Sequence, residues 1–231
     1  MAINSPDAYT LIYCLTTDWS RFAATFTHVC DRVLVVGKLS GSPKVTSIIC
    51  DEAETVRQII DYLHCKGRTR PGIFCNMNEN ELEMYRLGYW RQALQQAGVS
   101  LDWIQNHIFP LTAEQDSDPQ LQHQEMCHQM TEHLRTHGSE MDSIVVAYSS
   151  VAFREACRAV EFRVPDDILP VHIASPQWQN IGETIFAMLD HNISAHFETA
   201  FNILEYRYAS GKKEPGSWYF CQPLGIRETS L

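Results

Sequence analysis

The chain is short of positive charge, has no long apolar run and carries no cysteine framework, and each shortage removes a class of function. Lysine and arginine number 18 against 28 acidic residues, a formal net charge of −10. Phosphate backbones are held by basic patches, so this polypeptide by itself is not expected to bind nucleic acid. No apolar stretch approaches the ~20 residues of a membrane span, and the opening MAINSPDAYT lacks the layout of a secretory signal. The 8 cysteines, at 14, 30, 50, 65, 75, 127, 157 and 221, are scattered and include no CxxC pair. Reduced, mostly buried thiols in a cytoplasmic protein are expected. There is no GxSxG, no HExxH and no nucleophile–base–orienter set, so the chain does not read as an enzyme. The GKLSG segment at 37–41 lacks the spacing of a phosphate loop, and no cofactor is implied.

What is present is alternation. With 231 residues, 45% hydrophobic and 20% charged, the chain has the composition of a globular protein and room for one large domain or two small ones. The segment 143–175 sets the pattern. An apolar run, Ile144 to Ala147, ends at Tyr148-Ser149-Ser150, and Val151, Ala152, Ala156, Ala159 and Val160 follow at helical spacing. A turn at Pro165-Asp166-Asp167 then leads into a second β-rich run at 168–173. Strand, helix and strand of these lengths make a right-handed βαβ unit on a parallel sheet. Ligands of such sheets collect at the carboxyl ends of the strands, here Tyr148-Ser149 and Ala174-Ser175.

The same reading predicts strands over 8–15, 31–37, 45–50, 71–75, 103–109, 184–189 and 218–226. Helices are predicted from about 17, carrying Trp19, Phe22, Ala23 and Phe26 inward, and over 52–65, 79–97, 121–137 and 194–210. Gly67, Gly98 and Gly138 stand where helices stop. On the last helix Ile193, Phe197, Phe201, Leu204 and Tyr208 share one side. The fold class is therefore α/β.

Seven stretches, in order, carry a family likeness. Asp7-Ala8-Tyr9-Thr10-Leu11-Ile12 is similar to a strand beginning "DGLIL", and Ser47-Ile48-Ile49-Cys50-Asp51 to "SVxxDN". His64-Cys65-Lys66-Gly67-Arg68-Thr69-Arg70 is similar to "LGHRRI" with Arg68 in place of its histidine. The run 86–94, RLGYWRQAL, resembles "RLxGFxxAL" with Tyr89 in place of the glycine, and Val164 to Ile168 is the "VPxDI" turn. Glu198 to Leu204 falls on a late helix, and Leu224 to Ser230 resembles a terminal "LxxRxS" strand. Together they resemble the effector-binding domain of the LacI/GalR/PurR family of bacterial transcription regulators. The resemblance implies two doubly wound parallel-sheet lobes, periplasmic-binding-protein-like, with a ligand cleft between them. It implies a first lobe of 1–68 plus 191–212 and a second of 69–190 plus 213–231.

Measured against that family, the helix-turn-helix headpiece and the opening β-α-β of the first lobe are missing. The first lobe is thus expected to be truncated, with the strand at 8–15 an exposed edge that invites self-association. A homodimer is expected, as is a small-molecule effector. The family's polar strand ends fall here on Ala174 and on Tyr148-Ser149.

The resemblance puts Arg86 in reach of the ligand, where its fork suits hydroxyl, carboxylate or phosphate groups; the plainer reading is a helix-surface arginine paired with Glu83 or Glu79. Phe109 matches an aromatic that covers the ligand, or is a core residue at a strand end. Glu54 aligns with a carboxylate of some sugar-binding members, or is a solvated helix acid. Tyr148 and Ser149 complete the expected ligand-binding set. A cation kept while carboxylates are lost implies an anionic effector such as a sugar phosphate. Along the helix at 121–137, His123/Cys127 and His133/His137 are spaced to share a metal, but the pairs lie nearly three turns apart, so no metal is expected.

Overall fold

The computed structural model describes residues 10–13, 32–39, 44–76, 81–112, 118–147, 149–174, 187–211 and 216–228. The helix expected to start near 17 and the loop at 176–182 fall outside them. Two compact units divide the chain. In the first, β1 (Thr10–Tyr13), β2 (Val33–Val36), β3 (Thr46–Cys50) and β9 (Trp218–Cys221) form a parallel sheet in the order β1-β2-β3-β9. Among the described residues β1 is an edge strand, paired only with β2. No described helix is long and apolar enough to cross a membrane.

The second unit is built on a six-stranded sheet, ordered β10-β8-β7-β6-β4-β5. Its strands are β4 (Pro71–Asn76), β5 (Ile108–Leu111), β6 (Ser143–Val146), β7 (Leu169–Ala174), β8 (Ala187–Asp190) and β10 (Gly225–Glu228). All pairs are parallel except β10 with β8. Alternation splits the side chains between two layers. Ile73, Cys75, Val145, Val171 and Ile173 face Val56, Ile59 and Leu63 of α1 (Glu52–Cys65) and Leu87, Trp90 and Leu94 of α2 (Glu81–Gln96). Phe74, Ile144 and Val146 face Met130 and Leu134 of α4 (Pro119–His137) and Ala152, Phe153 and Ala156 of α5 (Ser150–Ala159).

Two expectations are corrected. The run 103–109 is not one strand: Leu101–Asn106 is a short helix, α3, followed by β5. Ser100 caps it, accepting a bond from the Trp103 amide at 3.2 Å, and Asp102 in the first turn suits the positive helix end. The run 218–226 is likewise two strands in two different sheets, broken by Pro223 and turned by Gly225 at φ 103°. The first unit runs to Asp51 and the second takes up the chain at Glu52, with the apolar stripe of α1 buried in the core of the second unit. β9 lies in the first unit, hydrogen-bonded to β3.

α6 (Ile193–Ser210) packs on the first sheet through Ala200 and Ile203 against Leu34, Val36, Ile48 and Cys221. Its buried stripe is His196, Ala200, Ile203 and Arg207, one position over from the aromatic one. Phe201 and Tyr208 are exposed. The polar members are held: the Arg207 guanidinium donates to the Thr46 hydroxyl, and His196 Nδ1 donates to the Asn192 carbonyl at 2.9 Å. Asn192, at φ 53°, starts the helix and Gly211, at φ 62°, ends it.

One buried side chain makes the second unit acid-sensitive. His172 on β7 is 4% exposed, edge-on to the Phe153 ring at 5.9 Å, and its Nδ1 has no hydrogen-bond partner among the described residues. Burial pushes its imidazole down to about 4. A depressed folded pKa gives stability that is complete above the unfolded value and is lost as pH falls through the folded one. From about pH 6.5 down to pH 4, this one group is expected to remove on the order of 3 kcal/mol. Urea unfolding across that window, native against His172→Leu, checks it: the variant's curve should be flatter, and parallel curves would contradict it.

Candidate functional site

Five parallel strands of the second sheet end along one edge, at Asn76, Leu111, Val146, Ala174 and Asp190. The helices that return antiparallel to them begin at the same edge, so the first turns of α1, α2 and α5 converge there. The side chains of Glu52, Glu83 and Arg86 meet at this place. The first residue of α1, Glu52, receives Arg86 Nε at 2.7 Å and Nη2 at 2.8 Å, a two-pronged pairing. Glu83, one turn before Arg86 on α2, receives Nη1 at 2.8 Å. All three side chains are less than 9% exposed.

This arrangement decides between the two readings of Arg86. It is paired with Glu83, as the plainer reading had it, yet it is buried rather than on the surface. Among the described residues the guanidinium does not stand alone: the carboxylates of Glu52 and Glu83 both enclose it. The partner missed by sequence reasoning is Glu52, 34 residues away from Arg86. Its only local signal is an acid at a helix start directly after a strand.

The other expected site residues are placed as follows. Ser149 is at the edge as the N-cap of α5, its hydroxyl accepting the Ala152 amide at 3.2 Å. Its proton remains available to an acceptor on the ligand side. Glu54 lies on the outer side of α1, bound by Arg57 Nε at 2.7 Å and Gln58 Nε2 at 2.8 Å; the hydrogen bond from Arg57 lowers its pKa. The solvated-acid reading therefore describes it. Phe109 is a core residue, 2% exposed, between Phe74 at 5.5 Å and His133 at 4.9 Å, which accords with the second of its two readings. It points into the α4 layer because its neighbours on β5, Ile108 and Pro110, take the other face. Tyr148 lies outside the described residues.

Cys75, the one thiol close by, is buried, donates to the Phe109 carbonyl at 3.7 Å and is pushed up to about 12 by burial and then by the Glu83 charge. A thiol held protonated is no nucleophile. A buried guanidinium and two carboxylates offer fixed donors and acceptors to a polar molecule.

No family model matches the chain, and no curated protein matches its sequence. Solved structures match its shape. The cellobiose complex of the transcriptional regulator CelR superposes with a TM-score of 0.76 at 16% identity, covering 97% of this chain and 66% of that one. A sugar-binding LacI-family regulator from Escherichia coli, complexed with phosphate, gives 0.69 at 14%, covering 96% and 76%. A LacI-family regulator from Arthrobacter sp. FB24, complexed with lactose, gives 0.69 at 15%, again covering 96% and 76%. This chain thus spans about two thirds of the first and three quarters of the others. Its fold is that of LacI-family effector-binding domains.

Proposed function

We propose that this chain is the effector-sensing domain of a LacI-family-like transcriptional regulator, that it works in the cytoplasm as a homodimer, and that it binds a small neutral sugar at the carboxyl edge of the second sheet. The observation that carries the ligand class is the buried Glu52–Arg86–Glu83 group. Carboxylates beside the guanidinium disfavour a phosphate, whereas sugar hydroxyls can donate to carboxylates and accept from guanidinium N–H groups. The charge-assisted bonds so formed are worth about 1.5–3 kcal/mol each. This reverses the anionic effector expected when Arg86 was considered alone. The fold supports the regulator reading, and two of the neighbours hold the disaccharides cellobiose and lactose.

The same group favours a second reading. Arg86 is already engaged on its Nε and both Nη atoms, which suits an internal brace in a dimerisation module that binds no ligand. A melting screen separates the two. A ligand at about a hundred times its Kd adds about 2.7 kcal/mol, which for a chain of this size moves Tm by roughly 5–10 °C. Cellobiose, lactose and their monosaccharides are expected to move Tm more than glucose 6-phosphate does. A larger shift with the phosphate overturns the charge argument, and no shift with any member leaves the module reading. Sedimentation of the native chain checks the dimer.

A further inference from the structure

At the opposite edge of the second sheet, three electron-pair donors converge from three elements. His107 is the C-cap of α3, His137 is the last residue of α4, and Glu140 closes the 3₁₀ turn Gly138–Glu140. One ligand atom from each lies within 4.8 Å of the other two. Glu140 Oε2 is 3.2 Å from His107 Nε2, and Glu140 Oε1 is 3.6 Å from His137 Nδ1.

The protonation pattern matters more than the distances. Nδ1 of His107 lies 2.8 Å from the Trp103 carbonyl, which can only accept, so Nδ1 carries the proton. In the neutral ring Nε2 is then a bare lone pair. That atom is buried, makes no hydrogen bond and belongs to a residue 3% exposed, yet it lies 3.2 Å from a carboxylate oxygen, another acceptor. His137 Nδ1 is likewise buried without a hydrogen bond. Acceptors facing one another are unfavourable unless a cation lies between them. One proton can join only two of these atoms, whereas a metal ion joins all three.

We propose that His107, His137 and Glu140 bind a divalent metal ion of zinc type, with the remaining position open to water. Two imidazoles and one carboxylate are a zinc donor set. Tetrahedral bonds of about 2.0–2.2 Å put donor atoms roughly 3.3–3.5 Å apart. The two imidazoles lie 3.2 and 3.6 Å from different oxygens of the Glu140 carboxylate, and one donor atom from each residue lies within 4.8 Å of the others, so binding draws the three donors slightly closer together. The surroundings hold the donors in place. The His107 ring is stacked on Trp103 at 3.7 Å and 9°, and the Trp103 indole N–H donates to the Pro71 carbonyl at 3.3 Å. The Nδ1–H bond to a carbonyl is the outer partner a metal-bound imidazole ordinarily has. Gly138 is fixed beneath Phe162, whose ring atom lies 2.2 Å from where a Cβ would stand. The carboxyl end of α4 adds the negative end of a 19-residue helix dipole. His137 and Glu140 are one-third and one-half exposed, which leaves an entry path.

This site does not depend on the effector reading, since its residues and edge are different. Chelator-stripped native chain is titrated with zinc(II) against a chromophoric zinc chelator, and with cobalt(II) for its visible absorption. One ion per chain is expected, with the strong cobalt band of a four-coordinate site. His137→Gln and Glu140→Gln, both at partly exposed positions, should keep the far-ultraviolet circular dichroism of the native chain and weaken zinc at least roughly tenfold. His123→Gln removes the histidine of the separate His123–Glu155 pair, 3.0 Å apart, and should leave binding unchanged. No zinc on the native chain, undiminished affinity in either ligand variant, or loss in His123→Gln overturns the site.

Discussion

Arg86→Met is expected to destabilise the second unit by about 3–5 kcal/mol, as breaking a buried ion pair from one side does. The guanidinium serves two carboxylates at once, and Glu52 and Glu83 are 5% and 6% exposed. Its removal takes three charge-assisted hydrogen bonds away from two buried carboxylates. Relief comes only by protonation, which costs more as pH rises. The triple exchange Arg86→Met, Glu52→Gln, Glu83→Gln is therefore expected to recover most of the stability, because shape is kept while the charges go. Urea midpoints of the native chain, the single variant and the triple variant measure this. A single variant within 1 kcal/mol of the native chain would mean that the group is hydrated and not a buried brace.

That result also bears on the effector. If the group is a brace alone, the triple variant keeps the fold and any sugar-induced shift in Tm. If it is the recognition site, the triple variant keeps the fold and loses the shift. The two roles of Arg86 can thus be measured apart, which the single variant cannot do.

The parts legible in the sequence are those encoded locally. The helix Glu52–Cys65 has the residues expected for it, because a strand, an acidic first turn and a stop at Gly67 follow one another without ambiguity. The βαβ unit around Ser143 to Ala174 is likewise written in apolar runs and turn residues. Where reading failed, the deciding contact lay elsewhere in the chain. An apolar run such as Trp103 to Phe109 suits strand or helix equally, and Ser100 as a cap settles it. Trp218 to Ile226 reads as one strand because nothing local says that its two halves pair with β3 and β8. The aromatic stripe of α6 is the more hydrophobic one, yet the sheet takes the stripe holding Arg207, whose guanidinium donates to the Thr46 hydroxyl across the interface. The site shows the same division. Glu83 is within one helical turn of Arg86 and was foreseeable, whereas Glu52 is not. His107 lies outside the histidine run of α4, so a search for spacings along one helix pairs His137 with His133 and misses the residue that meets it.

Trp90→Ala is expected to cost about 3–5 kcal/mol, the usual range for emptying a buried tryptophan site. Trp90 is 1% exposed and sits on α2 between Leu87 and Leu94, which are 0% and 1% exposed. The three make the stripe that faces Ile73, Val145 and Val171 of the sheet. Deleting the indole removes apolar area from that contact and leaves a cavity, because Leu87 and Leu94 are fixed by the same helix and cannot close it. The neighbouring residue supplies the control. Tyr89 is 39% exposed, so Tyr89→Ala is expected to change stability by no more than about 0.5 kcal/mol. Each variant's urea midpoint, with its slope checked against the native slope, gives the comparison. α2 also carries Glu83 and Arg86 in its first turns, so a loosened Trp90 site should lower the Tm gain from a bound sugar, while Tyr89→Ala should leave that gain intact. If Trp90→Ala unfolds no earlier than Tyr89→Ala, the helix does not pack through this stripe, and the placement of the Glu52–Arg86–Glu83 group at the strand ends falls with it.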